Sequence, residues 1–392
     1  MPVALAENSN PFLTAAMAAV NRARPLYGTD KPFDVRFEAL PWGRYAQLWF
    51  LTGGCSWDAC TMCNYGRGPR VDAPTMIEAV ARGVARLHEQ HVDILLVSPS
   101  GSFLDPREVP LEARCGILAL MRDAPIPVVE FETRAETVTE EAVAQVAELL
   151  RGKMVHVNLG LESANPWVQR FCVNKGSSPQ RFVDAAAILR RHDIFVIANI
   201  SLGTAFLTPR EAIADTVATV RWALDHGADS AVVYPLQVKK HTVLATLTDL
   251  RLHRATSLWG LVEALAQLGE EYYARTPIAW YRNYYNDTFR ETVTTCPRCE
   301  ARVLRLLDGY RAAQSVESMA PLLSYRCSCR ERWRAQLDEP ARPPVERIID
   351  GYDRVAVALG LEAMWATQRH GLIEAMTAQF VPPGELGPAK AA

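Results

Sequence analysis

No apolar stretch in this chain of 392 residues approaches the roughly 20 residues of a membrane-spanning helix, and Met1 to Asn10 lack a charged region followed by an apolar one. A membrane partner and a secretory leader are therefore not expected, and a cytoplasmic location is. Net charge is almost missing as well. Against 42 Lys and Arg stand 44 Asp and Glu, leaving −2 and no global pull toward nucleic acid or anionic lipid, although local basic patches stay open. A disulfide framework is the third absence: the nine cysteines include runs of C-x4-C-x2-C, C-x2-C and C-x-C, which are spacings for metal ligands in a reducing compartment. Beyond a strand–helix period there is no internal repeat.

What the chain does have is a cysteine triplet. Cys55, Cys60 and Cys63 follow directly on the apolar run from Ala46 to Leu51, and no further cysteine occurs before Cys115. Structural zinc asks for four protein ligands, whereas an iron–sulfur cube held by three thiolates keeps one iron free for a small ligand. The triplet is read as a catalytic 4Fe–4S site. Three ligands of a zinc site completed from elsewhere is the alternative.

Between residues 41 and 245, β-rich runs alternate with helical patterns. The strands are expected at Gln47–Thr52, Ile94–Ser98, Val128–Thr133, Val155–Leu161, Phe195–Leu202 and Ser230–Leu236, and the helices near Met76–Gln90, Leu111–Arg122, Glu140–Arg151, Arg181–Arg191 and Pro209–His226. Six such units predict an α/β fold, a partial (βα)6 barrel of TIM type, with an open doubly wound sheet as the rival. In such a barrel the reacting groups lie beyond the carboxyl ends of the strands. Those ends are polar here: Ser100-Gly101-Ser102 after the second strand, Glu132 and Arg134 after the third, Glu162 after the fourth, Asn199 and Ser201 on the fifth, and Tyr234, Gln237 and Lys239 after the sixth. Each taken singly reads as a turn or a solvated rim. Their recurrence beside the cysteine loop points to ligand contact.

The remainder is assigned as an N-terminal helical segment over 1–40, an extension over 246–339 and terminal helices with a tail over 340–392. The extension carries Tyr272, Tyr273, Trp280, Tyr281, Tyr284 and Tyr285 with Arg275, Arg282 and Arg290 interleaved, a composition suited to a domain interface or to base stacking, and the interface is preferred. Cys296, Cys299, Cys327 and Cys329 then form a closed four-thiolate set, most simply for Zn²⁺, with an auxiliary iron–sulfur cluster as rival. Helices are expected at Val303–Ala312, Val345–Leu359 and Glu362–Gln379. Cys115, Cys172, Met62 and Trp57 are read as packing residues.

Six motifs in order resemble a known family: Gly54-Cys55-x4-Cys60-Thr-Met-Cys63, Ser100-Gly-Ser-Phe-Leu-Asp105 with Glu108-Val-Pro110, Glu132-x-Arg134-x-Glu136, Gly160-Leu-Glu-Ser-Ala-Asn165, Asn174-Lys-Gly176 and Phe206-Leu-Thr-x-x-Glu-Ala-Ile213. They are similar to the radical S-adenosylmethionine (SAM) proteins related to the archaeosine synthase subunit, in the Elp3/MiaB-like group, over roughly residues 40 to 335. The resemblance implies a 4Fe–4S cluster on Cys55, Cys60 and Cys63 with SAM on the open iron, reductive cleavage to methionine and a 5′-deoxyadenosyl radical, and a one-electron reductant such as flavodoxin or ferredoxin. It implies Ser100, Gly101 and Ser102 near the methionine amino group, Glu162 at the ribose, Asn199 and Ser201 on the adenosine side, and Glu132 and Arg134 at polar groups of SAM or substrate.

The chain departs from that family on the substrate side, at Leu202-Gly-Thr-Ala205, in Pro235-Leu-Gln-Val-Lys-Lys-His241 and over Leu247–Trp259. Function follows the site rather than the fold. The expected substrate is a small molecule or carrier-bound metabolite, contacted by Tyr234, Gln237 and Lys239. Modification of a 7-deazaguanine or other nucleobase in tRNA is the enzymatic alternative, and a catalytically lapsed, metal-stapled RNA-binding module the non-enzymatic one. Bulk tRNA is disfavoured because Lys239, Lys240, His241 and Arg251 to Arg254 make a thin basic footprint.

Overall fold

The computed structural model describes residues 8–25, 31–40, 43–87, 90–282 and 289–386. Tyr284 and Tyr285 of the aromatic run lie outside them, as do the first seven and last six residues. A seven-stranded sheet runs in chain order from β1 (Phe33–Leu40) through β2 (Gly43–Phe50), β3 (Ile94–Ser98), β4 (Val128–Thr133), β5 (Met154–Glu162) and β6 (Phe195–Leu202) to β7 (Ser230–Pro235). β2 to β7 are parallel, and β1 is antiparallel to β2. Sequential order without a switch point gives the α/β half-barrel, not the doubly wound sheet.

One expectation needs correction: Phe33–Leu40, placed in the helical segment 1–40, is a strand, and among the described residues the helix there is Pro11–Arg22. Its charged residues Asp34, Arg36 and Glu38 alternate with Phe33, Val35 and Phe37, an edge-strand pattern in which Phe33 and Val35 pack on the core and Phe37 is exposed.

Four of the five crossover helices begin where a side chain satisfies their first amides, the exception being Leu111–Asp123, which follows Pro110. Asp72, Thr139, Ser178 and Thr208 cap the helices Ala73–Ala85, Glu140–Leu149, Pro179–Arg191 and Pro209–Asp225, the last with a reciprocal Thr208–Glu211 box. Their apolar faces cover the outer face of the sheet, where Leu48, Leu95, Val97, Val129, Phe131, Val157, Leu159 and Val196 are fully or almost fully buried.

The alternate residues of the same strands face inward and are largely polar. They include Tyr45, Gln47, Glu130, Glu132, His156, Asn158, Asn199, Ser201 and Tyr234, and they line a cavity of about 900 Å³. An ordinary (βα) barrel fills this space with branched apolar side chains. Here the period-two pattern separates a packed outer face from an open interior.

The segment after β7 covers the open side of the half-barrel. Ile278 bridges to Val233 of β7, and Trp280 meets Trp49 of β2 edge to face at 6.1 Å. Buried Tyr273 packs against Tyr310, and both Tyr281 and Arg282 bond Asp308 on the helix Glu300–Ala313, whose Arg311 pairs with Glu38 of β1. The described aromatics of this region are therefore an interface. No helix among the described residues is long and apolar enough to cross a membrane.

Candidate active site

The cysteine loop is bound to the fold on three sides. At its base Gly54, with φ +89°, lies so close to the returning chain that a Cβ would sit 2.5 Å from the Tyr65 carbonyl, which accepts the Cys55 N–H at 2.8 Å. On one flank the Thr61 N–H and hydroxyl donate to the carbonyls of Val173 and Cys172 at 2.9 and 2.7 Å, and Trp57 Nε1 donates to Asn174 at 2.8 Å. Gly176 leaves room for that indole, since a Cβ there would meet it at 2.3 Å. On the other flank Glu108 accepts from the amides of Ser56 at 2.8 Å and Ser102 at 2.6 Å, joining the cysteine loop to the loop after β3.

Cys55, Cys60 and Cys63 all line the cavity where the chain leaves the carboxyl end of β2, and Met62 and Gly101 line it too. Burial pushes the Cys55 thiol up to about 11, with Arg134 opposing, and raises Cys60 further. Thiolates in such a place call for a positive centre, which iron supplies. Their sulfurs are not gathered within 4.8 Å of one another. Three spaced thiols fit a multinuclear cluster better than a single ion, so the residues present fit a 4Fe–4S group.

The remaining expected residues fall into two groups. Glu132, Arg134, Glu162, Asn199, Ser201, Tyr234, Gln237, Lys239 and Gly101 line the cavity. Ser100 and Ser102 do not: Ser102 is fully buried, its hydroxyl accepting the Arg134 N–H at 3.1 Å, and Ser100 holds a left-handed turn at φ +56°. Gly101 is required by Glu108, whose Oε2 is 2.1 Å from where a Cβ would stand. Arg134 braces the cysteine loop, reaching Asp105 at 2.7 Å, Ser56 at 2.9 Å and Cys55 Sγ at 3.5 Å. Although buried, Asp105 is held down to about 2 by hydrogen bonds from Arg107 and Ser56 and by Arg134. Gln237 uses its amide group on the chain, donating to Trp280 and Arg282 carbonyls and accepting from Val293. Lys239 Nζ stands over the Tyr65 ring at 3.7 Å.

At the carboxyl end of β5, a bulge and a left-handed Glu162 at φ +65° turn its carboxylate into the cavity. Lys175 donates to Oε1 at 3.2 Å and Ser201 to Oε2. Against the cost of burial, Glu162 and the nearby Cys60 hold the Lys175 ammonium above its ordinary value. The Asn174-Lys-Gly176 motif thus has three tasks: Lys175 holds Glu162, Gly176 admits Trp57, and Asn174 accepts from Asn10 at 2.8 Å and binds the N-terminal helix. Asn199 Oδ1 is buried with no partner among the described residues, an acceptor waiting for a ligand donor.

Sequence reasoning attended to strand ends and missed the strand interiors. Glu130 accepts from Tyr45 at 2.9 Å and Asn158 at 2.7 Å, with His156 at 3.7 Å. The alternation in Val-Val-Glu-Phe-Glu-Thr and Val-His-Val-Asn-Leu-Gly-Leu-Glu was the available signal.

The distal cysteines have a different geometry. Cys296–Cys299, Cys296–Cys327, Cys299–Cys329 and Cys327–Cys329 sulfurs lie 3.4, 3.7, 3.4 and 3.3 Å apart, and Trp259 Nε1 donates to Cys329 at 3.2 Å. Cys172 is fully buried and Cys115 half-buried, neither near another thiol.

Residues 49–223 match the Radical SAM superfamily. The chain is 28% identical over 296 residues to "Archaeosine synthase subunit beta" of Methanosarcina acetivorans, covering 74% of this chain and 84% of that protein. It is 28% identical over 212 residues to the protein of the same name from Thermococcus kodakarensis, covering 53% and 65%. The solved Elp3 of Methanocaldococcus infernus overlaps 60% of this chain and 58% of its own at 14% identity, with a TM-score of 0.46. The cysteine triad and strands β3 to β6 fall within the residues that resemble the radical SAM superfamily.

Proposed function

We propose that this enzyme cleaves SAM reductively at a cluster held by Cys55, Cys60 and Cys63 and uses the radical on a small molecule or carrier-bound metabolite enclosed in the half-barrel. The observation that carries this reading is the cavity of about 900 Å³, lined by the three cysteines and by polar as well as apolar side chains from the inner face of the strands. When bound, the cluster and SAM supply a 5′-deoxyadenosyl radical, and the protein's share is binding, orientation and exclusion of water. Glu162, set by Lys175 and Ser201, offers carboxylate oxygens for ribose hydroxyls, and Asn199 an acceptor for the adenosine side. Arg134 positions the cysteine loop rather than touching ligand. Tyr234 and Lys239 border the substrate space.

The distal four cysteines are assigned to Zn²⁺. Metal–sulfur bonds of about 2.3 Å around a tetrahedral ion place the sulfurs about 3.8 Å apart, close to the spacing here, whereas thiolates on separate irons of a cube splay further. The electron enters from a flavodoxin- or ferredoxin-like donor, and the reduced thiols suit a cytoplasmic location. Residues 41–245 are taken as the barrel unit and 246–339 as the extension that covers its open side.

The test is mass spectrometry of anaerobically reconstituted protein with SAM and dithionite. Methionine and 5′-deoxyadenosine are expected. Intact SAM beside a full cluster favours a lapsed binding module, and 5′-methylthioadenosine a different cleavage.

The relatives' name favours a second reading, a nucleobase in tRNA. Filter binding of total tRNA decides it: affinity weaker than micromolar at physiological salt is expected, while tight, salt-sensitive binding lost in Lys239→Ala and Lys240→Ala promotes tRNA.

A further inference from the structure

The interior carboxylates identify the kind of substrate, an identification that rests on the proposed radical chemistry within the half-barrel. Glu130 and Glu132 stand two residues apart on β4 and face the same cavity, so Glu130 lies roughly 6.6 Å deeper, toward the amino ends of the strands. Their protein contacts are few and almost all neutral. Glu130 Oε1 takes the Tyr45 hydroxyl and the Asn158 amide, and Glu132 Oε2 takes the Ser98 hydroxyl at 2.6 Å. Among the described residues neither is ion-paired to a lysine or arginine, and His156 at 3.7 Å is the sole basic neighbour of Glu130 at ion-pair distance.

Most of the cavity's fixed cations are engaged elsewhere, and Lys239, over the Tyr65 ring, acts at a distance on Glu132 rather than on Glu130. Lys175 holds Glu162, Arg134 holds Asp105 and Glu136, and Arg311 holds Glu38. Burial, with the neighbouring carboxylate Glu130 for Tyr45 and Glu132 for Tyr234, drives both phenols well above their ordinary range, so they remain neutral donors. A carboxylate withdrawn from water and lacking a cation is costly, and a ligand that brings the cation relieves the cost. Trp49 and Phe195 add aromatic faces to the same space.

We propose that the substrate is a cationic amine, whose ammonium or amidinium group docks on Glu130 at the deep end of the cavity, with Tyr45 and Asn158 as the positioning residues that hold the carboxylate. SAM is also a cation, but Glu162, Ser201 and Asn199 lie at the cysteine end, leaving the Glu130 end for the second ligand.

Isothermal titration of the cluster-loaded protein, without reductant and with saturating SAM, tests this using matched probes: cadaverine against pentane-1,5-diol, and tyramine against 4-ethylphenol. At least one amine should bind ten times more tightly than its neutral partner, and Glu130→Gln should bring that ratio to within twofold. Melting curves check that the variant folds. If it does not, Glu130→Asp, which withdraws the carboxylate by one methylene, should lower the ratio at least threefold. Equal binding of amine and neutral probes overturns the proposal, as does a preference unchanged by either variant. Exclusion of amines by SAM overturns it too, because the acidic set would then serve SAM. The titration involves no turnover, so failure to cleave SAM and failure to prefer amines are separate results.

Discussion

The two cysteine sets of this protein differ in how far their sulfurs stand apart and in what surrounds them. The distal four are nearly in contact, with neighbours 3.3 to 3.7 Å apart, at the starts of the helices Glu300–Ala313 and Ser328–Leu337. Hydrogen bonds from Cys299 and its neighbours push the Cys296 thiol down to about 6, while burial pushes Cys299 up to about 12. Such a set is closed: four ligands leave no place for a reactant. The proximal three are spread around the end of a cavity and tied to the fold through the backbone and through Glu108, Arg134 and Asn174 rather than through one another. The lesson is that a closed thiolate set stabilises chain and an open one leaves room for chemistry.

The largest effect should come from breaking the open set. Cys60→Ala leaves two anchors, so the iron content should fall well below about four per chain and SAM cleavage to background. The melting temperature, held by contacts elsewhere in the loop, should change by only a few degrees. Absorption spectra, iron analysis and differential scanning calorimetry check the three parts.

Breaking the closed set should do the reverse. Cys299→Ser should remove zinc and lower the melting temperature by roughly 10 °C, because a closed site contributes several kcal/mol of folding free energy. Iron per folded chain should be unchanged. Loss of iron at this site, with an altered low-temperature spin-resonance signal, would mean an auxiliary cluster.

Glu162→Gln sharpens the account of the open set from the ligand side. It strands the buried Lys175 ammonium, a loss on the order of 3 kcal/mol, and removes the acceptor proposed for ribose. Stability and SAM affinity should both fall, the latter about tenfold by equilibrium dialysis. Adding Lys175→Met should restore stability but not SAM binding.

The smallest effect concerns Asp215, buried beneath the Glu162 turn and bonded to Ser163 at 3.0 Å. Burial raises its carboxyl from 3.8 to about 7. Between those values the native state holds a proton that the unfolded chain has lost, so stability falls as pH rises through that window and levels off above it. Asp215→Asn should therefore raise the melting temperature by a few degrees at pH 8 and by less at pH 5. Equal shifts at both pH values would mean that Asp215 ionises normally.

Much of this was legible from sequence because the parallel strands are β-rich runs between well-capped helices, and expected and observed strands agree within a few residues. Phe33–Leu40 escaped because its alternation of Asp34, Arg36 and Glu38 with Phe33, Val35 and Phe37 is an edge-strand signal, while a buried-strand template looks for continuous apolar runs. That template also hid Glu130 and Asn158, whose polar side chains make sense only once the barrel is known to be hollow. Spacing brought the cysteines into two sets. It did not show that Gln237 and Ser102 would use their polar groups on the chain itself, because such partners are set by tertiary folding.

The proposed division between an open iron set and a closed zinc set is tested most directly by anomalous scattering from crystals of anaerobically purified protein, recorded at the iron and zinc absorption edges. Iron scattering should appear beside Cys55, Cys60 and Cys63, and zinc scattering at the centre of Cys296, Cys299, Cys327 and Cys329. Iron at the distal set, or zinc and no iron at the proximal one, would contradict the account.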